Sequence, residues 1–133
     1  KVQLRNLIHE DNRILQTVEK IVHPLLQKSR TEFIQLNQKT SLIIFDIPLL
    51  FEKNLERNFD SVCVVTASEI TQKNRVLKRT NITEKDFLLI KRNQLNEKEK
   101  LKRADFIINT DKALVDTKHD VQELYHKIRD LAG

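Results

Sequence analysis

Glycine is almost absent from these 133 residues: Gly133, the last, is the single one. A phosphate-binding loop of the form G-x-x-x-x-G-K-[ST] needs glycines so that backbone amides can close around an anion. No such loop lies between Lys1 and Gly133. Methionine and tryptophan are missing, and aromatic residues make up 5%, so a stacking platform for nucleic acid bases has little to be built from. Cys63 is the lone cysteine, which rules out a disulfide within the chain and leaves a zinc site without its usual ligands. It sits in the apolar run Val62-Cys63-Val64-Val65 and reads as a small buried hydrophobe. The longest apolar run, Ile47 to Phe51, contains Pro48 and falls far short of the ~18 residues of a membrane span. Lys1 to Asp11 is polar and does not read as a signal peptide. These features predict a cytoplasmic protein with no membrane role.

Charge is plentiful and unevenly placed. The net charge is +5. Residues 68–103 hold 11 basic and 5 acidic side chains, a surplus of 6, while the rest of the chain holds 13 and 14. A segment of that kind attracts phosphate, on a nucleotide or along a nucleic acid.

Periodicity predicts helices over residues 3–38. Leu4, Leu7 and Ile8 start an apolar stripe, and Asp11 is placed to cap a second helix bearing Ile14, Leu15, Val18, Ile21 and Val22. His23-Pro24 is expected to break it, with Pro24 opening a third helix. Then the pattern changes. Ser41–Asp46 (SLIIFD), Ser61–Thr66 (SVCVVT) and Ala104–Asn109 (ADFIIN) are short apolar runs of the kind buried on both faces in a parallel sheet. Helices are expected from Glu69 to Arg79, from Glu84 onward, after an Asn96/Glu99 capping box, and from Ala113 to Leu131 behind Thr110 or Asp111. Alternating strands and helices predict an α/β fold with a parallel sheet. The segments divide as 1–40, 41–67, 68–103 and 104–133.

Two constellations carry chemistry. Asp46 ends an apolar strand, where a carboxylate helps hold the magnesium of a nucleoside triphosphate in some folds and merely starts a turn in many others. Gln72, Arg75 and Arg79 share one helix face. Two guanidinium groups one turn apart can grip a polyphosphate, or can simply face solvent. Lys91, Arg92, Lys98, Lys100, Lys102 and Arg103 read as solvated surface. His9, His119 and His126 have no metal-ligand spacing, and His23 suits a helix-end cap.

Read together, Ile21-Val22-His23-Pro24-Leu25, Asp46-Ile47-Pro48-Leu49-Leu50-Phe51-Glu52, Gln72-x-x-Arg75-x-x-x-Arg79, and Gln94 followed by Lys100 and Ala104–Asn109 resemble the dephospho-CoA kinase family of P-loop kinases, in its C-terminal two-thirds. The resemblance implies a P-loop kinase-like three-layer α/β fold, incomplete at its N-terminus, with a helical acceptor region and a lid. It implies transfer of the ATP γ-phosphate to the 3′-hydroxyl of dephospho-CoA with Mg²⁺. On that likeness Arg75 and Arg79 would be lid arginines on the ATP phosphates. Gln72 and Asn109 would lie on the nucleotide side, with Asn109 near the adenine. Asp46 would lie near the phosphates and magnesium. His23, Leu49, Leu50, Phe51 and Glu52 would line the dephospho-CoA side. The phosphate loop, the first strand and an acid near the acceptor are expected upstream of Lys1, and residues 1–133 alone are expected to be inactive. Sheet edges and apolar faces would then lie open, to be covered by self-association or to favour aggregation. Two other readings stand beside this one: a basic helical module on nucleic acid, and a non-catalytic remnant that binds CoA-like ligands.

Overall fold

The computed structural model describes residues 12–80 and 82–132. The chain divides into two compact units, Lys1–Ile44 and Phe45–Gly133. In the first, the apolar spacing of Ile14, Val18, Ile21 and Leu25 produces helix α1, Asn12–Leu36. It corrects the expected break, because Pro24 lies inside one continuous helix. A proline there removes a single ladder bond and costs ~3 kcal/mol. The helix has twelve residues on either side of Pro24 to carry it through. Asn37 finishes it by donating from Nδ2 to the Phe33 carbonyl at 2.7 Å. The apolar positions Ile21, Leu25 and Leu36 are 62%, 62% and 85% exposed. The expected stripe Leu4, Leu7, Ile8 and the cap Asp11 lie outside the described residues.

The expected strand Ser41–Asp46 is a second correction. Among the described residues it pairs with no strand, and the sheet has two members. A strand exists only through ladder bonds to a neighbour, and high β-propensity alone leaves an extended segment in which Ile44 is 80% exposed.

The second unit is built on strands β1 (Cys63–Thr66) and β2 (Phe106–Asn109), which run parallel with Cys63 opposite Phe106 and Thr66 opposite Asn109. Between them come helices α2 (Glu69–Leu77), α3 (Glu84–Arg92) and α4 (Glu97–Arg103), and after them α5, from Leu114 to Ala132. Side chains fix both ends of the strand pair. At the start, Asp105 accepts the Val62 N–H at 2.8 Å, which explains the acid in ADFIIN. At the finish, the Thr110 N–H donates to the Thr66 carbonyl at 2.8 Å.

Each short helix has a cap, because two or three turns leave a large share of backbone groups unpaired. Ser68 accepts the Thr71 N–H at the head of α2. Thr83 and Asp86 form the reciprocal box of α3. Asn96 caps α4 through the Lys98 N–H at 2.9 Å, but Glu99 does not close the expected box, since it pairs with Lys102 at 2.8 Å. α2 stops at Leu77, two residues before Arg79. The predicted caps of α5 are also diverted, as Asp111 bonds Ser68 and the Thr110 hydroxyl bonds Thr66. Thr83→Ala should lower stability by ~1 kcal/mol, read as a reduced denaturant midpoint with an unchanged slope.

The core is small: Phe51, Val62, Ala67, Phe87 and Ile108. Val65 and Ile107 remain 66% and 53% exposed. Cys63 is exposed rather than buried, because β1 begins there with no described element over it. What burial it has pushes its thiol up, away from reactivity. Among the described residues, no helix is long and apolar enough to cross a membrane.

Candidate nucleotide site

Parallel strands open their ligand crevices at their carboxyl ends, and here those ends are Thr66 and Asn109. The two turns that follow are tied together. Asp111 accepts from the Ser68 N–H at 2.5 Å and from the Ser68 hydroxyl at 3.1 Å. The Thr71 hydroxyl first, and then the Ser68 amide, hold the Asp111 carboxyl below its usual range. The Asp111 N–H donates to Asn109 Oδ1 at 2.8 Å, closing a tight Asx turn.

Helix α2 lies against these turns. Gln72 Nε2 donates to the Ala67 carbonyl at 2.7 Å and reaches Glu97 at 3.5 Å. The Thr66 hydroxyl also donates to Glu97. Arg75 donates to the Thr110 hydroxyl at 2.8 Å and to the Thr110 carbonyl at 2.6 Å. Arg79 is exposed beyond the end of α2, and no described residue pairs with its guanidinium. The α2–α3 pair is cross-linked twice, by Lys73–Glu84 and by Lys91–Glu69, the latter at 2.5 Å.

The Pro48–Asn54 turn is joined to α4. Glu52 Oε1 accepts from the Leu95 N–H at 2.7 Å and from Lys100 at 2.9 Å. The side chains of Glu52 and Lys100 are 13% and 17% exposed. Burial raises the Glu52 carboxyl more than any other single influence, but the Lys100 and Leu95 bonds together hold it below its ordinary value. One turn on, Arg103 pairs with Glu56 and lies 4.8 Å over the Phe51 ring. The Arg103 bond is the main cause that holds Glu56 low. Leu49 and Leu50 are half-buried in the same turn. Asn54 takes φ 50°, a left-handed conformation that asparagine tolerates.

The expected residues are thus brought together in part. Arg75 meets the Asn109–Asp111 turn, whereas Gln72 bonds the Ala67 carbonyl after β1 and Glu97 at the head of α4. Glu52 and Phe51 are committed to α4. His23 is exposed on α1 in the other unit. Asp46 is exposed, with no described residue pairing with its carboxylate. Thr66, Ser68, Glu97, Thr110 and Asp111 were not singled out from sequence as site residues. The signal for Ser68, Thr110 and Asp111 was their place as polar residues just past two apolar strands, whereas Thr66 closes β1 and Glu97 opens α4.

The family model for dephospho-CoA kinase matches residues 1–116. A dephospho-CoA kinase of Bartonella quintana is 42% identical over 91% of this chain and 63% of its own length. One from Bartonella henselae is 43% identical over 90% of this chain and 62% of its own. The chain therefore spans under two-thirds of these relatives. A solved protein of Thermus thermophilus superposes with a TM-score of 0.77 at 28% identity, covering 94% of this chain and 65% of that one.

Proposed function

The chain belongs to the dephospho-CoA kinase family, and from that premise we propose that the protein transfers the γ-phosphate of ATP to the 3′-hydroxyl of dephospho-CoA, the last step of coenzyme A synthesis. The observation that carries this reading is the arrangement at the strand ends: a turn at Asn109–Asp111 tied to α2 through Asp111–Ser68 and Arg75–Thr110. ATP is the donor, and the setting is the cytoplasm.

In this reading Asn109 lies beside the adenine and Gln72, on the nucleotide side, braces the Ala67 carbonyl just past β1. Of the two arginines expected on the phosphates, Arg79 has no described partner and carries that role. A fixed cation there stabilises charge that spreads over the moving phosphoryl group, at little reorganisation cost. Asp46, with an uncommitted carboxylate, fits the one or two carboxylates that magnesium takes when phosphates and water supply its other ligands. Bound there, the ion would neutralise phosphate charge. Leu49 and Leu50 face the acceptor side, with Phe51 and Glu52 fixing their turn. His23 belongs to the acceptor-binding helix.

A nucleic acid module is disfavoured. The basic segment offers few aromatic side chains for stacking on bases, and Glu52 and Glu56, from outside it, pair with Lys100 and Arg103 and offset two of its six surplus charges.

The test is ADP formation by the protein in its full encoded length, supplied with ATP and either dephospho-CoA, AMP or no acceptor. The expected result is turnover that requires dephospho-CoA and magnesium. Residues 1–133 alone are expected to give none, lacking a phosphate loop. Equal turnover with AMP would sink the acceptor assignment.

A further inference from the structure

The two arginines, Arg75 on α2 and Arg79 just past its end, do not have equal freedom. Arg75 places both terminal nitrogens on one residue, Nη1 on the Thr110 hydroxyl at 2.8 Å and Nη2 on the Thr110 carbonyl at 2.6 Å. The hydroxyl is in turn committed as a donor, to the Thr66 carbonyl at 3.0 Å. The Thr110 N–H goes to the same carbonyl at 2.8 Å. Thr110 therefore has its amide, carbonyl and hydroxyl all engaged, and Arg75 makes two of those contacts.

We propose that Arg75 is a positioning residue for the base of the nucleoside triphosphate: it pins the Asn109–Asp111 turn to α2 and so sets the floor on which a purine lies. This rests on the phosphotransferase reading above. Two anchors join turn and helix. Asp111 holds Ser68 at the helix head, and Arg75 holds Thr110 two turns further along. With one anchor the turn can pivot; with two its orientation follows the helix. The planar fork of arginine spans a hydroxyl and a carbonyl at once, which the single ammonium of lysine does poorly. A guanidinium engaged with neutral acceptors is a weak phosphate clamp. The phosphate work then falls to Arg79, one turn on.

The experiment uses the full-length protein, with Arg75→Ala, Arg75→Lys and Thr110→Val. Arg75→Ala should raise KM for ATP about tenfold, change kcat less than about threefold and leave KM for dephospho-CoA unaltered, the pattern of lost binding rather than lost transition-state stabilisation. Arg75→Lys should recover only part of the loss, and Thr110→Val should add little in the Arg75→Ala background, since partners in one network are not additive. Hydrogen exchange at the Thr110 amide should quicken about tenfold in Arg75→Ala, with the β2 amides unchanged, as expected for local opening. A kcat fall of about a hundredfold with KM for ATP unchanged, or full rescue by lysine, would show a phosphate contact and overturn the proposal. Unchanged Thr110 exchange would overturn it too. Absence of all turnover in the parent protein would instead sink the phosphotransferase reading, while the exchange measurement still decides the pin.

Discussion

Arg79→Ala in the full-length protein should lower kcat about a thousandfold and leave the unfolding midpoint where it was. The size follows from what a fixed cation does for a phosphoryl group in transit, worth ~4 kcal/mol when it acts chiefly in the transition state. The neutrality for stability follows from placement. Arg79 lies beyond the C-cap of α2, is exposed, and pairs with no described residue, so its removal breaks no fold contact. Steady-state kinetics and a denaturant titration on the same preparation check both halves. Arg79→Lys should retain part of the activity, since a point charge still attracts phosphate. A variant that turns over ATP normally would remove Arg79 from the site.

The second large effect is on stability. Lys100→Ala should cost ~2–3 kcal/mol, somewhat below the figure for a fully buried pair because Glu52 and Lys100 keep some solvent contact. It strands the Glu52 carboxylate with the Leu95 amide as its remaining described donor. Oε2 already has no described partner. The double variant Glu52→Gln with Lys100→Met should regain part of the loss, since it removes the charge as well as its partner. The pH dependence has a definite sign. The folded Glu52 carboxyl titrates below its ordinary value of 4.5. The contribution of the pair is therefore present above about pH 4.5 and disappears as pH falls through the lower folded value. Lys100→Ala should flatten that acid limb of the stability profile. An unaltered acid limb would mean that Glu52 is not held by Lys100 in solution.

Much of the fold was legible because local signals and tertiary placement agreed. SVCVVT and ADFIIN became the paired strands, and Asn96 stood where a helix begins. The misses have physical causes. SLIIFD has strand composition, but a ladder depends on a neighbour, and none is among the described residues. His23-Pro24 looked like a break, yet one missing N–H does not end a helix with twelve residues on each side. The apolar setting of Cys63 suggested burial, which no described element provides. At the site, Gln72 and Arg75 were identified by spacing, but their side-chain partners are Glu97 at the head of α4 and Thr110 in the turn after β2. Those pairings join positions 25 and 35 residues apart, and no helical or strand period reports them. Glu52 read as an acceptor-side residue, whereas its carboxylate is engaged with Lys100 and the Leu95 amide.

The most direct test of the central claim is the position of the transferred phosphate. The full-length protein is incubated with ATP, magnesium and dephospho-CoA, and the product is examined by phosphorus NMR. The account requires one new phosphomonoester, on the 3′-oxygen of the ribose, formed in step with ADP. A phosphate on another hydroxyl, or ATP hydrolysed with dephospho-CoA unmodified, would contradict it.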